Sequence, residues 1–387
     1  MANKNLHDAK AAKKDEFYTR IEDISNELRH YRDFFRGKSV LCNCDDPYES
    51  NFFKYFALNF NSWGLRRLTA TCYDGSPVAG SELRLPFDVE TAQAKKRTAH
   101  KIVITEVSDI NGDGAVDLAD VDLLIRNRAN VLTRLSGNGD FRSPECVAML
   151  READVVVTNP PFSLFREYLA QLIEYDKKFL IIGNQNNVTY KDVFLLLMQN
   201  KVWLGYNSGE MAFRVPQNYE ARDTRYWQDE TGQKWRSMGN ISWYTNIDHK
   251  KRHEELDLYK KFNEEEYQSF DNYNAININK VADIPYDYDG IMGVPITFMD
   301  KYNPDQFEIL GLTQIGCHDL VPDTRRYDDY VEVRRSDGKV TGASGRKTNE
   351  NAVLTGEGNK KTFYRNAEGR TVHSEYKRIL IRKKQNN

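Results

Sequence analysis

The sequence is short of several things that would place a protein quickly. Five cysteines stand in 387 residues, at positions 42, 44, 72, 146 and 317. An odd, scattered set argues against a disulfide framework and for a reducing compartment. Cys42 and Cys44 alternate within an expected strand and face one side, but no further Cys or His follows at metal-ligand spacing. No apolar run approaches the ~20 residues needed to cross a bilayer. Residues 1–14 are polar and lysine-rich, without the apolar centre of a secretory signal. A cytoplasmic location is therefore expected, with no membrane as partner. Charge of one sign is also lacking. The net charge is −2, which gives no global signal for a polyanion. There is no internal repeat, no low-complexity segment, and no G-x-G-x-x-G after the first expected strand, which counts against NAD or FAD.

What is present is a soluble composition, 40% hydrophobic and 29% charged, long enough for two structural units. The chain is organised around 154–162. Asp154-Val155-Val156-Val157-Thr158 reads as a buried strand, and Asn159-Pro160-Pro161-Phe162 stops it. Two prolines remove two backbone donors and fix two φ angles, so a stiff loop follows. Apolar positions 164, 165, 168, 169, 172 and 173 then predict a helix. Strand, rigid loop and helix is where open α/β sheets place ligands.

Other elements follow the same logic. A helix is expected from about Arg20 to Phe35, ended by Gly37, and strands at Lys38–Pro47 and Arg67–Tyr73 flank a helix at Asn51–Phe60. Short helices are expected at Pro144–Glu152 and Tyr190–Met198, and strands at Lys178–Asn184 and Lys201–Tyr206. Beyond 206 the spacing predicts short strands at 213–216, 241–245 and 293–298, and a charged helix from His249 to about Phe262. Between 217 and 236, Tyr219, Tyr226, Trp227 and Trp235 interleave with Arg222, Arg225, Lys234 and Arg236, a texture that suits nucleic acid or a surface loop. From Asp323 onward stand 16 Lys and Arg against 9 Asp and Glu, an excess of seven positive charges that suits phosphates.

Residues 109–120 match the calcium-loop pattern D-x-[DN]-x-[DN]-G, with Asp109, Asn111, Asp113, Asp117 and Asp120 as candidate ligands. The twelfth position is Asp instead of Glu, as in dockerin modules, and no partner loop is recognisable. An ion-free acidic turn is the alternative; if calcium binds, its role is structural.

Asn159-Pro160-Pro161-Phe162 resembles the catalytic loop of amino-methyltransferases. An adenine amino group is a poor nucleophile because its lone pair is delocalised into the ring. The side-chain carbonyl of Asn159 and the backbone carbonyl of Pro160 would accept its two hydrogens, Pro161 would keep the loop rigid, and Phe162 would stack on the base. With Asp15-Glu16-Phe17-Tyr18-Thr19, Cys42-Asn43-Cys44-Asp45-Asp46-Pro47, Gly139-Asp140-Phe141-Arg142-Ser143 and Gly290–Phe298, the chain resembles the EcoRI-type adenine-specific DNA methyltransferases over nearly its whole length.

The resemblance implies an α/β fold: a Rossmann-like S-adenosylmethionine-dependent methyltransferase sheet with helices on both faces, plus a C-terminal mixed α+β DNA-recognition region. It implies a tail and cofactor-pocket segment at 1–37, a catalytic domain at 38–206 and a target-recognition region at 207–387. The cofactor would be S-adenosylmethionine, and the substrate N6 of a flipped-out adenine in double-stranded DNA. Phe17, Tyr18 and Thr19 would line the cofactor pocket, Asn43, Cys44 and Asp45 its methionine part, Asp74 the ribose, and Asp140 and Phe141 the cofactor's adenine, with Asn159 also among the cofactor-binding residues. The Asn-Cys-Asp-Asp loop departs from the usual Phe-x-Gly-x-Gly. A cognate restriction endonuclease is a possible partner, and a monomer suffices for one methylation per binding event. Three other readings stay open: methylation of RNA or a protein glutamine, nucleic-acid binding without catalysis, and a calcium-dependent scaffold.

Overall fold

The structure is a computed structural model that describes residues 17–44, 50–72, 99–114, 116–117, 119–121, 123, 133–215, 217, 219–314, 325, 327–343 and 350–384. The chain forms two compact units, Met1–Asn184 with Leu204–His249, and Gln185–Trp203 with Lys250–Asn387. No helix among the described residues is long and apolar enough to cross a membrane.

The first unit is α/β. Its sheet contains β1 (Tyr18–Thr19), β2 (Ser39–Asn43), β3 (Arg67–Cys72), β4 (His100–Ile104), β5 (Thr133–Arg134), β6 (Val155–Thr158), β7 (Lys178–Asn184), β8 (Trp203–Arg214), β9 (Tyr226–Gln228) and β10 (Lys234–Thr245). The strand order is β1-β8-β10-β7-β6-β2-β3-β4-β5, with β9 on β10. The centre, β7-β6-β2-β3, is parallel. Its strands are apolar without alternation because both faces are covered: β2 and β6 are buried at every residue. β4 and β10 flank this centre antiparallel.

Besides the one-turn helix Phe60–Trp63, four longer helices are described in this unit. α1 (Ile21–Leu28) continues as a 3-10 turn to Phe35, and Gly37 adopts φ +70 where the chain reverses. α2 (Asn51–Leu58) starts at Ser50, whose Oγ accepts from Phe53 N at 3.3 Å. α3 (Pro144–Glu152) starts the same way, with Ser143 Oγ accepting from Cys146 N and Pro144 in the first turn. α4 (Phe165–Glu174) buries Phe165, Tyr168, Leu169 and Leu172, the apolar spacing visible in the sequence. Phe35 anchors the core, 5.1 Å from the Phe56 ring and 5.4 Å from Trp63.

The connection from β2 through α2 leads one way, to β3, and that from β6 through α4 leads the other way, to β7. The direction therefore reverses between β2 and β6, the place where open sheets bind ligands at the carboxyl ends of their strands.

Glu27 on α1 is buried without a cation. Its oxygens accept from Tyr206 N (2.6 Å), Asn207 N (2.7 Å), Asn207 Nδ2 (2.9 Å) and Tyr31 Oη (2.9 Å). Burial raises its carboxyl above the ordinary range, against the pull of those donors. Gly205 lets the carboxylate approach: a Cβ there would stand 2.4 Å from Glu27 Oε1 and 2.5 Å from Trp243 Cβ.

The second unit contains α5 (Lys191–Met198) and two sheets. One orders β11 (Ile276–Asn277), β12 (Met292–Pro295), β19 (Arg378–Lys383) and β13 (Phe307–Thr313). The other orders β15 (Val340–Ala343), β14 (Val331–Arg334), β17 (Thr362–Arg365), β18 (Thr371–Ser374) and β16 (Val353–Thr355). Arg378, buried on β19, is met by Glu375 Oε2 at 3.1 Å and Asn277 Oδ1 at 3.0 Å.

Several expectations need correction. The separate strands expected at 201–206 and 213–216 form one continuous strand, β8, whose partners tolerate its polar middle. The loop alternative for 217–236 fails at its end, where β9 and β10 form a hairpin. The charged helix expected from His249 to Phe262 reduces to a turn at Lys250–His253. Its apolar positions, Leu256, Leu258 and Phe262, are few among charged residues and offer little surface to hold a helix by packing. Instead Leu256 N donates to Gln306 Oε1 at 2.8 Å. The strand expected at 293–298 stops at Pro295, and Ile296–Lys301 is a 3-10 helix. β4, an apolar run in a polar insertion, was not expected at all.

Candidate active site

The register Val40↔Val155 and Leu41↔Val156 brings the ends of β2 and β6 together. Thr158 Oγ1 donates to the Asn43 carbonyl at 2.5 Å, tying the two strand ends at the switch point. Tyr168 Oη donates to Asn43 Oδ1. That bond fixes the amide and leaves Asn43 Nδ2 buried with no partner. The next residue, Cys44, has φ +90, a conformation L side chains rarely adopt.

Asn159 follows β6 and is 7% exposed. Its Nδ2 donates to the Phe17 carbonyl at 2.5 Å and to Thr19 Oγ1 at 3.3 Å. Its Oδ1 is buried and accepts nothing. Both amide hydrogens are thus spent on the N-terminal segment, and the carbonyl is the group left open. Pro160 is buried, and Pro161 and Phe162 are half-buried. The Phe162 ring lies 5.5 Å from Phe17 and 6.2 Å from Phe213.

The Phe17-Tyr18-Thr19 segment reaches this point through β1, which pairs antiparallel with β8 at Tyr18↔Arg214 and Thr19↔Phe213. Asn51 Nδ2 secures it with a bond to the Thr19 carbonyl at 2.7 Å. Phe141 packs edge-on against Tyr168 at 5.0 Å, and Gln171 Nε2 donates to its carbonyl at 3.2 Å. Asp140 is clasped by its neighbour: Arg142 Nε and Nη2 donate to it at 2.8 and 2.6 Å, and Arg142 Nη1 reaches Glu167 at 2.9 Å.

The structure therefore gathers Phe17, Tyr18, Thr19, Asn43, Cys44, Phe141, Asn159, Pro160, Pro161 and Phe162 through short contacts, with Asp140 beside them. Asp45 and Asp74 lie outside the described residues. The sequence reading missed Thr158, Tyr168 and Asn51. Tyr168 falls in the apolar stripe of α4, so its spacing reads as core. Only its hydroxyl hinted that a buried polar partner must exist.

Residues 109–120 are placed elsewhere in this unit. Carboxylate oxygens of Asp109, Asp113 and Asp120 lie within 4.8 Å of one another. Asp109 accepts from Gly112 N and Gly114 N at 2.7 and 2.8 Å, and Asp120 from Ile110 N, Asn111 N and Asp117 N. Asp117 Oδ1 instead caps the next turn, accepting from Ala119 N at 2.7 Å. The backbone bonds, that from Asp117 N first, hold the Asp120 carboxyl below its ordinary range.

An α/β sheet with this loop at its switch point and an open amide carbonyl is the arrangement of a methyltransferase. The particular family follows from comparison. The model of the family described as adenine-specific methyltransferase EcoRI matches residues 5–384, and the chain belongs to that family. It is 47% identical over 312 residues to Type II methyltransferase M.EcoRI of Escherichia coli, covering 80% of this chain and 89% of the relative. It is 33% identical over 351 residues to Type II methyltransferase M.MpnI of Mycoplasma pneumoniae, covering 89% and 96%. No solved structure matches. The chain is thus an enzyme of the adenine-specific DNA methyltransferase class, which depends on S-adenosylmethionine.

Proposed function

We propose that this enzyme transfers a methyl group to N6 of one adenine at a specific site in duplex DNA, with the adenine turned out of the helix. The observation that carries the reading is the buried, unpartnered Oδ1 of Asn159. Methyl transfer to an exocyclic amine needs hydrogen-bond acceptors and no donor at that point. The bonds to Phe17 and Thr19 orient the amide so that its carbonyl is the open group.

The residues present also fit the cofactor. Asn43 Nδ2 is a buried donor with no partner, as expected beside a carboxylate. When bound, S-adenosylmethionine supplies a methyl group on a positively charged sulfur. Asn43 and Cys44 would hold its methionine part, Phe17, Tyr18 and Thr19 would line the pocket, and Phe141 would lie against its adenine, with Asp140 accepting from the amino group. Asn159 Oδ1 and the Pro160 carbonyl would accept the two N6 hydrogens of the target base, which frees its lone pair for attack. Phe162 would stack on the base. As the N–C bond formed, the bond from the sulfonium to the methyl carbon would break and leave a neutral thioether, and the proton lost from N6 would pass to solvent, since both carbonyls are acceptors and neither is a base. A base inside a duplex cannot reach such a pocket, so it must be extruded, at a cost of a few kcal/mol.

A Rossmann-like catalytic domain would cover 38–206, with target recognition in 207–387 and an N-terminal cofactor segment at 1–37, and its sheet would extend into both neighbours through β1 and β8 to β10. The setting would be cytoplasmic DNA modification by a monomer, beside a restriction endonuclease of the same specificity. A structural calcium ion at Asp109, Asn111, Asp113, Asp117 and Asp120 is a second, separate reading, supported by three carboxylates within 4.8 Å. Calcium titration of the wild type and Asp113→Asn tests it, and absence of heat and of any change in melting temperature would remove the ion.

The main reading is tested by incubating unmethylated genomic DNA with labelled S-adenosylmethionine and mapping modified adenines. Label at one short motif, lost in Asn159→Ala, is expected. Label on RNA or protein in preference to DNA would overturn it.

A further inference from the structure

The β9–β10 hairpin and the residues before it enclose a pocket of 380 Å³, lined by Tyr219, Arg222, Arg225, Arg236, Ser237 and Asn240, among others. Three arginines share one concave surface, and among the described residues no carboxylate ion-pairs with any of them. Arg236 Nη1 is anchored on the Thr224 carbonyl at 2.5 Å. Arg225 holds a left-handed backbone, φ +56, and Ser237 N donates to its carbonyl at 2.9 Å. Its guanidinium lies over Gly239, where a Cβ would stand 2.6 Å from Nη1. The nearby Glu210 carboxylate accepts from Ser237 Oγ. Arg222 makes no hydrogen bond among the described residues.

Aromatic rings connect this pocket to the methyl-transfer site. Tyr219 lies 6.2 Å from Phe17, and Phe17 lies 5.5 Å from Phe162. Tyr226 stacks behind Tyr219 at 6.4 Å.

We propose that this pocket clamps one backbone phosphate of the DNA strand that carries the target adenine, next to the extruded nucleotide. This rests on the DNA methyltransferase reading above. Extrusion turns a nucleotide about its own backbone, so the neighbouring phosphate has to be held while the base swings. Guanidinium groups match a phosphate with paired donors, and the Arg222 and Arg225 guanidiniums have no carboxylate partner among the described residues to give up, while Arg236 is already held in place by Thr224.

The test measures binding of unmethylated genomic duplex fragments across a salt series, for the wild type, Arg222→Gln/Arg225→Gln and Gly239→Ala. The double variant is expected to bind at least ~10-fold more weakly. Its slope of log affinity against log salt is expected to be shallower by about 0.9, one phosphate's worth of released counterion. Gly239→Ala, which displaces the Arg225 guanidinium, is expected to share part of both effects. Calorimetry should show unchanged S-adenosylmethionine affinity in both. Unchanged DNA affinity and slope in the double variant overturns the proposal. So does a parallel loss of cofactor affinity, or a loss seen with RNA and not with duplex DNA. Asn159→Ala separates this from the underlying reading, because it should keep the full salt slope while losing transfer. A wild-type chain with no salt-dependent DNA binding would sink the methyltransferase reading and this proposal together.

Discussion

Asn159 and Phe17 are 142 residues apart in the chain, and the amide of the first donates to the carbonyl of the second at 2.5 Å. One bond thus joins the Asn-Pro-Pro-Phe loop to the segment that leads into β1. It also decides which end of the amide remains open.

Replacing Asn159 is therefore expected to act twice. Asn159→Ala removes an oriented acceptor, and single-turnover methyl transfer should slow by about 10²–10³. Asn159→Asp turns the bond to Phe17 into a contact between two acceptors. It should match the loss in rate and, unlike Asn159→Ala, weaken S-adenosylmethionine binding in calorimetry by displacing β1.

Tyr168→Phe deletes the donor to Asn43 Oδ1 inside a fully buried helix face. The unpaired acceptor should cost about 1–3 kcal/mol of stability in urea titration. The loosened Asn43 amide should also weaken cofactor binding. Retention of wild-type cofactor affinity would mean that Asn43 does not need Tyr168 for its orientation.

Glu27→Gln places an amide NH2 where three of the four partners can only donate, and should destabilise the first unit by about 2–3 kcal/mol despite its near-identical shape. The sign of the pH effect follows from the raised carboxyl. The folded state binds this proton more tightly than the unfolded chain. The wild type therefore loses stability as pH rises from about 4.5 to the folded pKa, and holds level beyond it. Glu27→Gln should lack that component, seen by comparing the two melting curves across pH. Gly205→Ala should destabilise by a similar amount, because its Cβ meets the same carboxylate.

Glu375 behaves in the opposite sense. Its hydrogen bond with His373 first, and then Lys360 and Arg378, hold its carboxyl below the ordinary range. Its contribution is present above the ordinary carboxylate range and is lost as pH falls through the lowered folded pKa. Glu375→Ala leaves the buried Arg378 guanidinium without its counter-charge and should cost about 3–5 kcal/mol at neutral pH. Wild type and variant should converge on acidification, as read by urea midpoints.

Sequence alone determined what depends on neighbours in the chain. The apolar runs that became β2, β6 and β7 and the helical spacing of α4 are local signals, and each appears close to its expected place. The Asn-Pro-Pro-Phe loop was legible because two prolines permit so few backbone conformations. Tertiary structure decided the rest. The hairpin of β9 and β10 takes its strands from mixed polar and aromatic residues that carry no clean alternation, and partners stabilise what pattern does not. The stretch after His253 shows the reverse, a charged run with good helix formers but little apolar surface to bury. The meeting of Phe17, Asn43, Tyr168 and Asn159 rests on strand order and register, which no local spacing encodes. Sequence named the amide of Asn159, but only the folded chain set its direction, because the groups that receive its hydrogens, the Phe17 carbonyl and Thr19 Oγ1, come from the N-terminal segment, some 140 residues away in the chain.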